Sequence, residues 1–300
     1  MIIGFDNGNI NIKTSKNIIY ENRISTDPRL YEDIENLRVE FQGTKCTLGQ
    51  GEFKTNYLKA TREDTLINIF TSIALSTNDE VNQVVVGLPI QQFKTDRDRL
   101  QQLIMDNRIQ KFKLNGQTKN IIISECAVFP ESLATYYSLS NEIKLSIGNL
   151  DLILIDIGGR TTDIAQYSIV NGKRKLINFI TLPAGIVNIY SDFIKEINDK
   201  WGLDKIKEDA PKILRDGLEV DGEKADIKFT KAVFEKYVGR IMGELRLNYP
   251  IRTSKCILCG GGGILLQGFF RREIKGIIVV NDIFSNAKGF EKVGEQLWKN

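Results

Sequence analysis

The chain has 300 residues, 42% of them hydrophobic, which is ample for a buried core and favours two domains. Its 41 basic and 38 acidic residues leave a net charge of +3, too balanced for a strongly basic nucleic-acid binder. With no histidine, Ser-His-Asp chemistry, Cys-His chemistry and every His-ligated metal are excluded, and acid–base work falls to carboxylates, Lys or Tyr.

The opening Met-Ile-Ile-Gly-Phe-Asp runs straight into a strand and lacks the parts of a signal peptide. No apolar run approaches the roughly eighteen residues that span a bilayer, so the chain is expected to be cytoplasmic. Ile2 to Ser15 reads as an apolar strand, Asp6, a turn with Gly8, and an alternating strand carrying Lys13. Lys16 to Ile24 reads as a further strand and Ser25 to Asn36 as a loop. Leu37 to Leu58 reads as short strands of a small peripheral subdomain. Thr61 to Ser76 is an amphipathic core helix, with Thr61-x-x-Asp64 as its capping signal. Gln83 to Pro89 is a buried, parallel-type strand, followed by a charged helix near Thr95 to Arg108. Phe112 to Leu114 and Asn120 to Ser124 pair about an Asn115-Gly116 turn. Pro130 suits the first position of a helix and Glu131 its first turn, where a carboxylate favours the dipole.

The second half repeats the opening device. From Leu152 an apolar run ends in Asp156, a Gly158-Gly159 turn follows, then Thr161, Thr162 and Asp163, then a second β-rich run. Two glycines let the backbone approach a ligand and aim N–H groups at an anion such as phosphate. Asp156 suits a hydrated Mg²⁺. A purely structural Gly-Gly hairpin with a polar rim is the competing reading. Lys173 to Leu182 pairs back through Asn171-Gly172. Helices are predicted over Gly185 to Trp201, over Asp204 to Arg215 with a break at Pro211, and over Thr230 to Leu247. Leu218 to Phe229 holds an Asp221-Gly222 hairpin. Cys256 to Leu266 is a buried strand running into glycines 260–263. A strand over Gly276 to Val280 and a helix over Asp282 to Leu297 complete the chain. The Cys256-x-x-Cys259 pair has no second pair or His to complete a zinc site, so the cysteines read as structural.

Taken in order, these motifs resemble the actin, Hsp70 and sugar-kinase ATPase superfamily. Asp6, Gly8, Asn9, Asn11 and Lys13 resemble its first phosphate loop. Gly158, Gly159, Arg160, Thr161, Thr162 and Asp163, behind Asp156, resemble the second, and Gly260, Gly261 and Gly262 the adenosine loop. Val86 to Ile90 with the Pro130-Glu131-Ser132 helix, and Phe284 to Phe290, resemble the two interdomain connections. Within the superfamily the chain is most similar to the bacterial plasmid-segregation actins, the ParM/StbA family. Arg160 departs from the pattern, standing where many relatives have a third glycine, and a positive φ there would strain it.

The resemblance implies an α/β, actin-like (ribonuclease H-like) fold of two domains with nucleotide in the interdomain cleft. Residues 1–140 would form the first domain, with the peripheral subdomain at about 25–58 and a C-terminal helix, 284–300, completing it. Residues 141–283 would form the second. It further implies ATP or GTP with Mg²⁺ organised through water by Asp6 and Asp156, and phosphate charge neutralised by Lys13. Glu131 would orient or deprotonate the attacking water, although a simple helix-start acid is the other reading of that residue. The implied partners are other copies of the chain in a filament and a DNA-bound segregation adaptor, with no direct nucleic acid and no membrane. A sugar-type small-molecule kinase and a non-hydrolysing nucleotide-dependent adaptor are the alternatives. A Rossmann dehydrogenase is not, because residues 260–265 fail G-x-G-x-x-G at its last position.

Overall fold

The computed structural model describes residues 1–26, 37–53 and 58–298. Strands β1 (Ile2–Asn7), β2 (Asn11–Thr14), β3 (Ile19–Glu21), β4 (Arg23–Ser25), β5 (Leu37–Phe41) and β6 (Thr44–Phe53) precede helix α1 (Thr65–Ser76). Then come β7 (Val81–Leu88), α2 (Ile90–Asp106), β8 (Ile109–Leu114), β9 (Gln117–Pro130), α3 (Glu131–Ser138) and α4 (Asn141–Ile147). The second half runs β10 (Leu152–Ile157), β11 (Thr162–Val170), β12 (Lys173–Leu182), α5 (Ile186–Trp201) and α6 (Ala210–Asp216). It continues with β13 (Glu219–Val220), β14 (Glu223–Lys224), α7 (Lys231–Asn248), β15 (Lys255–Cys259), α8 (Gly260–Glu273), β16 (Ile278–Val279) and α9 (Ser285–Trp298). The chain divides into two compact units, residues 1–148 with 282–300, and residues 149–281.

In the first unit one sheet runs β3-β2-β1-β7-β9-β8-β5-β6-β4. Along β7, Val84 and Val86 join the large core that also holds Ile69, Phe70 and Ile73 of α1 and Leu100 and Ile104 of α2. Val85, one step out of phase, faces the other way and packs with Ala134 of α3 and Phe290 and Val293 of α9. Burial on both faces is why the strand reads as an unbroken apolar run. The α3–α9 contact is tightened by Thr135, whose hydroxyl donates to Asn286 Oδ1 at 2.6 Å. A Cβ added at Gly289 would lie 1.9 Å from the Ala134 carbonyl oxygen, so only glycine admits this approach.

The second unit holds the sheet β12-β11-β10-β15-β16 and a separate β13-β14 hairpin. Its pairings run antiparallel, antiparallel, parallel, parallel. The same sequence of directions runs through β3-β2-β1-β7-β9 in the first unit. Asp6 and Asp156 therefore hold equivalent places, each towards the C-terminal end of the central strand.

Several local expectations shift. Strands β5 and β6 join the main sheet through β8, and their Val39, Phe41, Cys46 and Leu48 share its core. Most of the loop expected over Ser25 to Asn36 lies outside the described residues. Helix α1 starts at Thr65, and Asp64 makes no capping bond because its carboxylate is held by Arg62. Helix α2 begins directly after Pro89. Pro130 ends β9 in extended conformation, so Glu131 is the first residue of α3. Pro211 does not break a helix; it sits in the first turn of α6, behind a short 3₁₀ turn over Lys207–Asp209. The glycine run is not a loop but the start of α8.

All four cysteines are buried thiols that form no disulfide among the described residues. Burial pushes Cys126 up to about 12 and Cys256 up to about 11, so both stay protonated and weakly nucleophilic. Among the described residues no helix is long and apolar enough to cross a membrane.

Candidate functional site

In the first unit, Asp6 lies opposite Lys13 in the antiparallel β1-β2 pair. The two form an ion pair at 2.8 Å with both side chains largely buried. Lys13 Nζ also donates to the Ile283 carbonyl at 3.1 Å, at the entrance to α9. The turn between the strands is braced from below by Asn22. Its side chain donates to the Gly8 carbonyl at 2.6 Å and its backbone N–H to the Ile10 carbonyl at 2.7 Å. Asn68 of α1 in turn donates to Asn22 Oδ1 at 3.1 Å. Asn9 and Asn11 are partly exposed on this turn.

Sequence reasoning missed a buried polar cluster beside this hairpin. Arg62 Nε donates to Asp64 Oδ1 at 2.7 Å, and its Nη2 reaches Asp64 Oδ2 and Asn7 Oδ1, both at 3.2 Å. Asn7 Nδ2 is buried and has no hydrogen-bond partner among the described residues. Lys59, only 2% exposed, pairs with Glu131. The signal is present as charged residues around a buried-looking helix start, but Thr61-x-x-Asp64 equally fits a helix cap.

In the second unit, Asp156 lies opposite Asp163 in the β10-β11 pair. Asp163 is committed inside the hairpin, accepting from the Thr181 hydroxyl at 2.5 Å and the Thr161 hydroxyl at 3.3 Å. Thr162 is fully buried and donates to the Ala184 carbonyl at 2.8 Å, with Tyr237 OH 3.1 Å away. Its hydroxyl is therefore turned into the protein. The turn itself is locked by Gly158 N–H donating to the Thr161 carbonyl at 2.9 Å. The Gly158 and Gly159 carbonyls each accept from the first turn of α5, at 3.0 Å. Arg160 has no positive φ, so the absence of a third glycine costs no strain.

The glycines of α8 divide by role. Gly260 has φ +79°, and a Cβ there would lie 2.4 Å from Asp156 Oδ1; at Gly262 it would lie 2.3 Å from Ile157 Cγ2. These two let the helix start close against β10. Gly261 differs: an added Cβ there meets nothing within 4 Å. The first N–H groups of α8 thus start beside Asp156, next to open space, an arrangement suited to an anion.

Residues 4–133 match the family model for the N-terminal domain of actin-like proteins. Over the whole chain, an archaeal actin homologue, Ta0583, superposes with a TM-score of 0.83 at 17% identity, covering 98% of this chain and 99% of that one. A subunit of a 15-stranded ParM filament from Clostridium botulinum gives 0.81 at 20% identity, with the same coverage. The fold is actin-like. The archaeal homologue in complex with ADP also superposes, with a TM-score of 0.79 at 17% identity over 99% of both chains. No curated protein matches the chain by sequence.

The actin-like frame puts a strand–Asp–turn–strand hairpin in each unit, and the residues present fit a magnesium nucleotide. Asp6 and Asp156 are hard oxygen donors buried near strand ends, of the kind that holds hydrated Mg²⁺. The orphan Nδ2 of Asn7 is an unspent donor next to Asp6. Glu131, at the start of α3, belongs to the same unit as the first hairpin. The added Cβ of Gly87 would come within 2.8 Å of its Cγ, so the bare glycine makes room for the carboxylate arm.

Proposed function

We propose that this chain is a nucleotide-driven, filament-forming actin of the plasmid-segregation type, which binds and hydrolyses ATP with Mg²⁺ and moves DNA through an adaptor. The observation that carries this reading is the duplicated hairpin: matched sheets, each with an aspartate near the end of its central strand and a tight turn beyond. Each hairpin would offer backbone N–H groups to nucleotide phosphate, around Gly8, Asn9 and Asn11 in the first unit and around Gly159, Arg160 and Thr161 in the second. Asp6 and Asp156 would hold Mg²⁺ through its waters, and the ion would supply positive charge against the phosphates. Lys13, paired with Asp6 in this structure, would share its ammonium with an arriving phosphate. Glu131 orients the attacking water and accepts its proton, a role that typically contributes 10²–10⁴-fold in rate. GTP is the other purine triphosphate that this backbone chemistry admits.

Filament formation is proposed because the filament subunit above shares the whole fold. A stable contact along a filament buries roughly 1,200–2,000 Å². Adding ATP and Mg²⁺ at high protein concentration is expected to raise light scattering and to bring protein into the pellet on sedimentation. A strictly monomeric protein under those conditions, or phosphorylation of an added sugar, would overturn this reading in favour of a kinase or adaptor.

Gly261 gives a direct probe of where nucleotide lies. Replacing a helical glycine by alanine stabilises by roughly 0.5–1 kcal/mol where the side chain has space. Gly261→Ala is expected to melt at the wild-type temperature or above it, yet to bind ATP more weakly. Unchanged affinity in a titration would remove the start of α8 from the site.

A further inference from the structure

Resting on the catalytic reading of Glu131, we infer that Lys59 is a positioning residue that fixes the Glu131 carboxylate for turnover. The Lys59 side chain is 3% exposed and that of Glu131 12%, and Lys59 Nζ donates to Glu131 Oε1. An ammonium buried this deeply is costly to fold around. Ion pairs of this kind can often be replaced by apolar groups without loss of stability, so stability alone is a poor reason for one.

The surroundings argue for placement. The Lys59 backbone N–H donates to Gln92 Oε1 at 3.1 Å, and its carbonyl accepts from the Thr65 hydroxyl at 2.7 Å. Lys59 is thereby fastened to the starts of both α2 and α1. Three residues on, Arg62 is anchored by Asp64 and reaches Asn7, the neighbour of Asp6. One short loop thus holds both the end of the strand that carries Asp6 and the carboxylate proposed to activate water. Lys59 holds Oε1, and the absence of a side chain at Gly87 leaves the space that the Glu131 arm occupies. Misplacing a reacting group by about 1 Å can cost 10²-fold in rate, which is the scale on which such restraint acts.

The test measures steady-state phosphate release from ATP and Mg²⁺, with ATP affinity determined separately, for Lys59→Met, Glu131→Gln and the double variant. Lys59→Met is expected to lower kcat by about tenfold or more with KM for ATP changed by less than about twofold. The double variant is expected to be no slower than Glu131→Gln alone, because Lys59 acts only through that carboxylate. Wild-type turnover in Lys59→Met alongside a slow Glu131→Gln would overturn the inference and leave the catalytic assignment standing. A change confined to KM would overturn it too, since Lys59 would then act on nucleotide binding. Should Lys59→Met fail to fold, the double variant, in which no charge is left unpaired, decides. Equality with Glu131→Gln supports positioning, and a further tenfold drop refutes it. Wild-type turnover in Glu131→Gln itself removes the catalytic reading and this inference together.

Discussion

Glu131→Gln is expected to lower ATP turnover by roughly 10²-fold or more while ATP binding and assembly stay nearly intact. Without histidine, water activation falls first to a carboxylate, and Asp6, Asp156 and Glu131 are the candidates. Asp6 and Asp156 stand near the ends of β1 and β10, on the two hairpins, places that suit organising a metal through its waters. Glu131 is held by Lys59 at the first residue of α3, away from both hairpin turns in the chain. Glutamine is the better probe than alanine. Alanine would strand the buried Lys59 ammonium, and breaking a buried pair in this way costs about 3–5 kcal/mol. Glutamine keeps an acceptor for Lys59 and removes only the base. Filaments of the variant should persist in ATP after those of the wild type have disassembled. Turnover at the wild-type rate would make Glu131 a helix-start acid and no more.

Gly158→Val is expected to fold and to lose ATP. Gly158 has no positive φ, and a Cβ there would meet only the Thr161 carbonyl oxygen, at 3.4 Å. The turn therefore accepts a side chain, which then stands where phosphate must approach the backbone. Affinity measured by titration calorimetry should fall at least about 10²-fold, or about 2.8 kcal/mol, with the melting temperature little changed. Gly260 offers the contrast. Its φ of +79° and the nearness of Asp156 mean that Gly260→Ala strains the chain itself, so lost binding there would say little about the ligand. ATP affinity unaltered in Gly158→Val would take the second hairpin out of the phosphate site.

Both hairpins were legible because everything that makes them is local. An apolar run, an aspartate, a glycine turn and an alternating return strand lie within a short window, and strand pairing across a tight turn needs no distant partner. Asn115-Gly116, Asn171-Gly172 and Asp221-Gly222 were readable for the same reason, each adopting the positive φ that such turns require. The repeated topology of the two sheets followed from the repeated motif.

The sequence by itself thus determined the actin-like order of elements and the places of Asp6, Asp156 and Glu131 on them. Only the tertiary structure decided what those side chains face. Lys59 and Glu131 are 72 positions apart, and Arg62 and Asn7 are 55 apart, so no local pattern pairs them. The segment around Thr61 satisfied a capping rule that its own carboxylate, drawn to Arg62, does not obey. Thr162 matched a phosphate motif by type, yet its hydroxyl is spent on Ala184 because β11 packs that face inward. The glycines of α8 looked alike in the chain. Contact with Asp156 and Ile157 reserves Gly260 and Gly262 for packing and leaves Gly261 facing open space. Periodicity and turn chemistry are properties of neighbours in sequence, whereas burial, pairing and close approach are properties of neighbours in space.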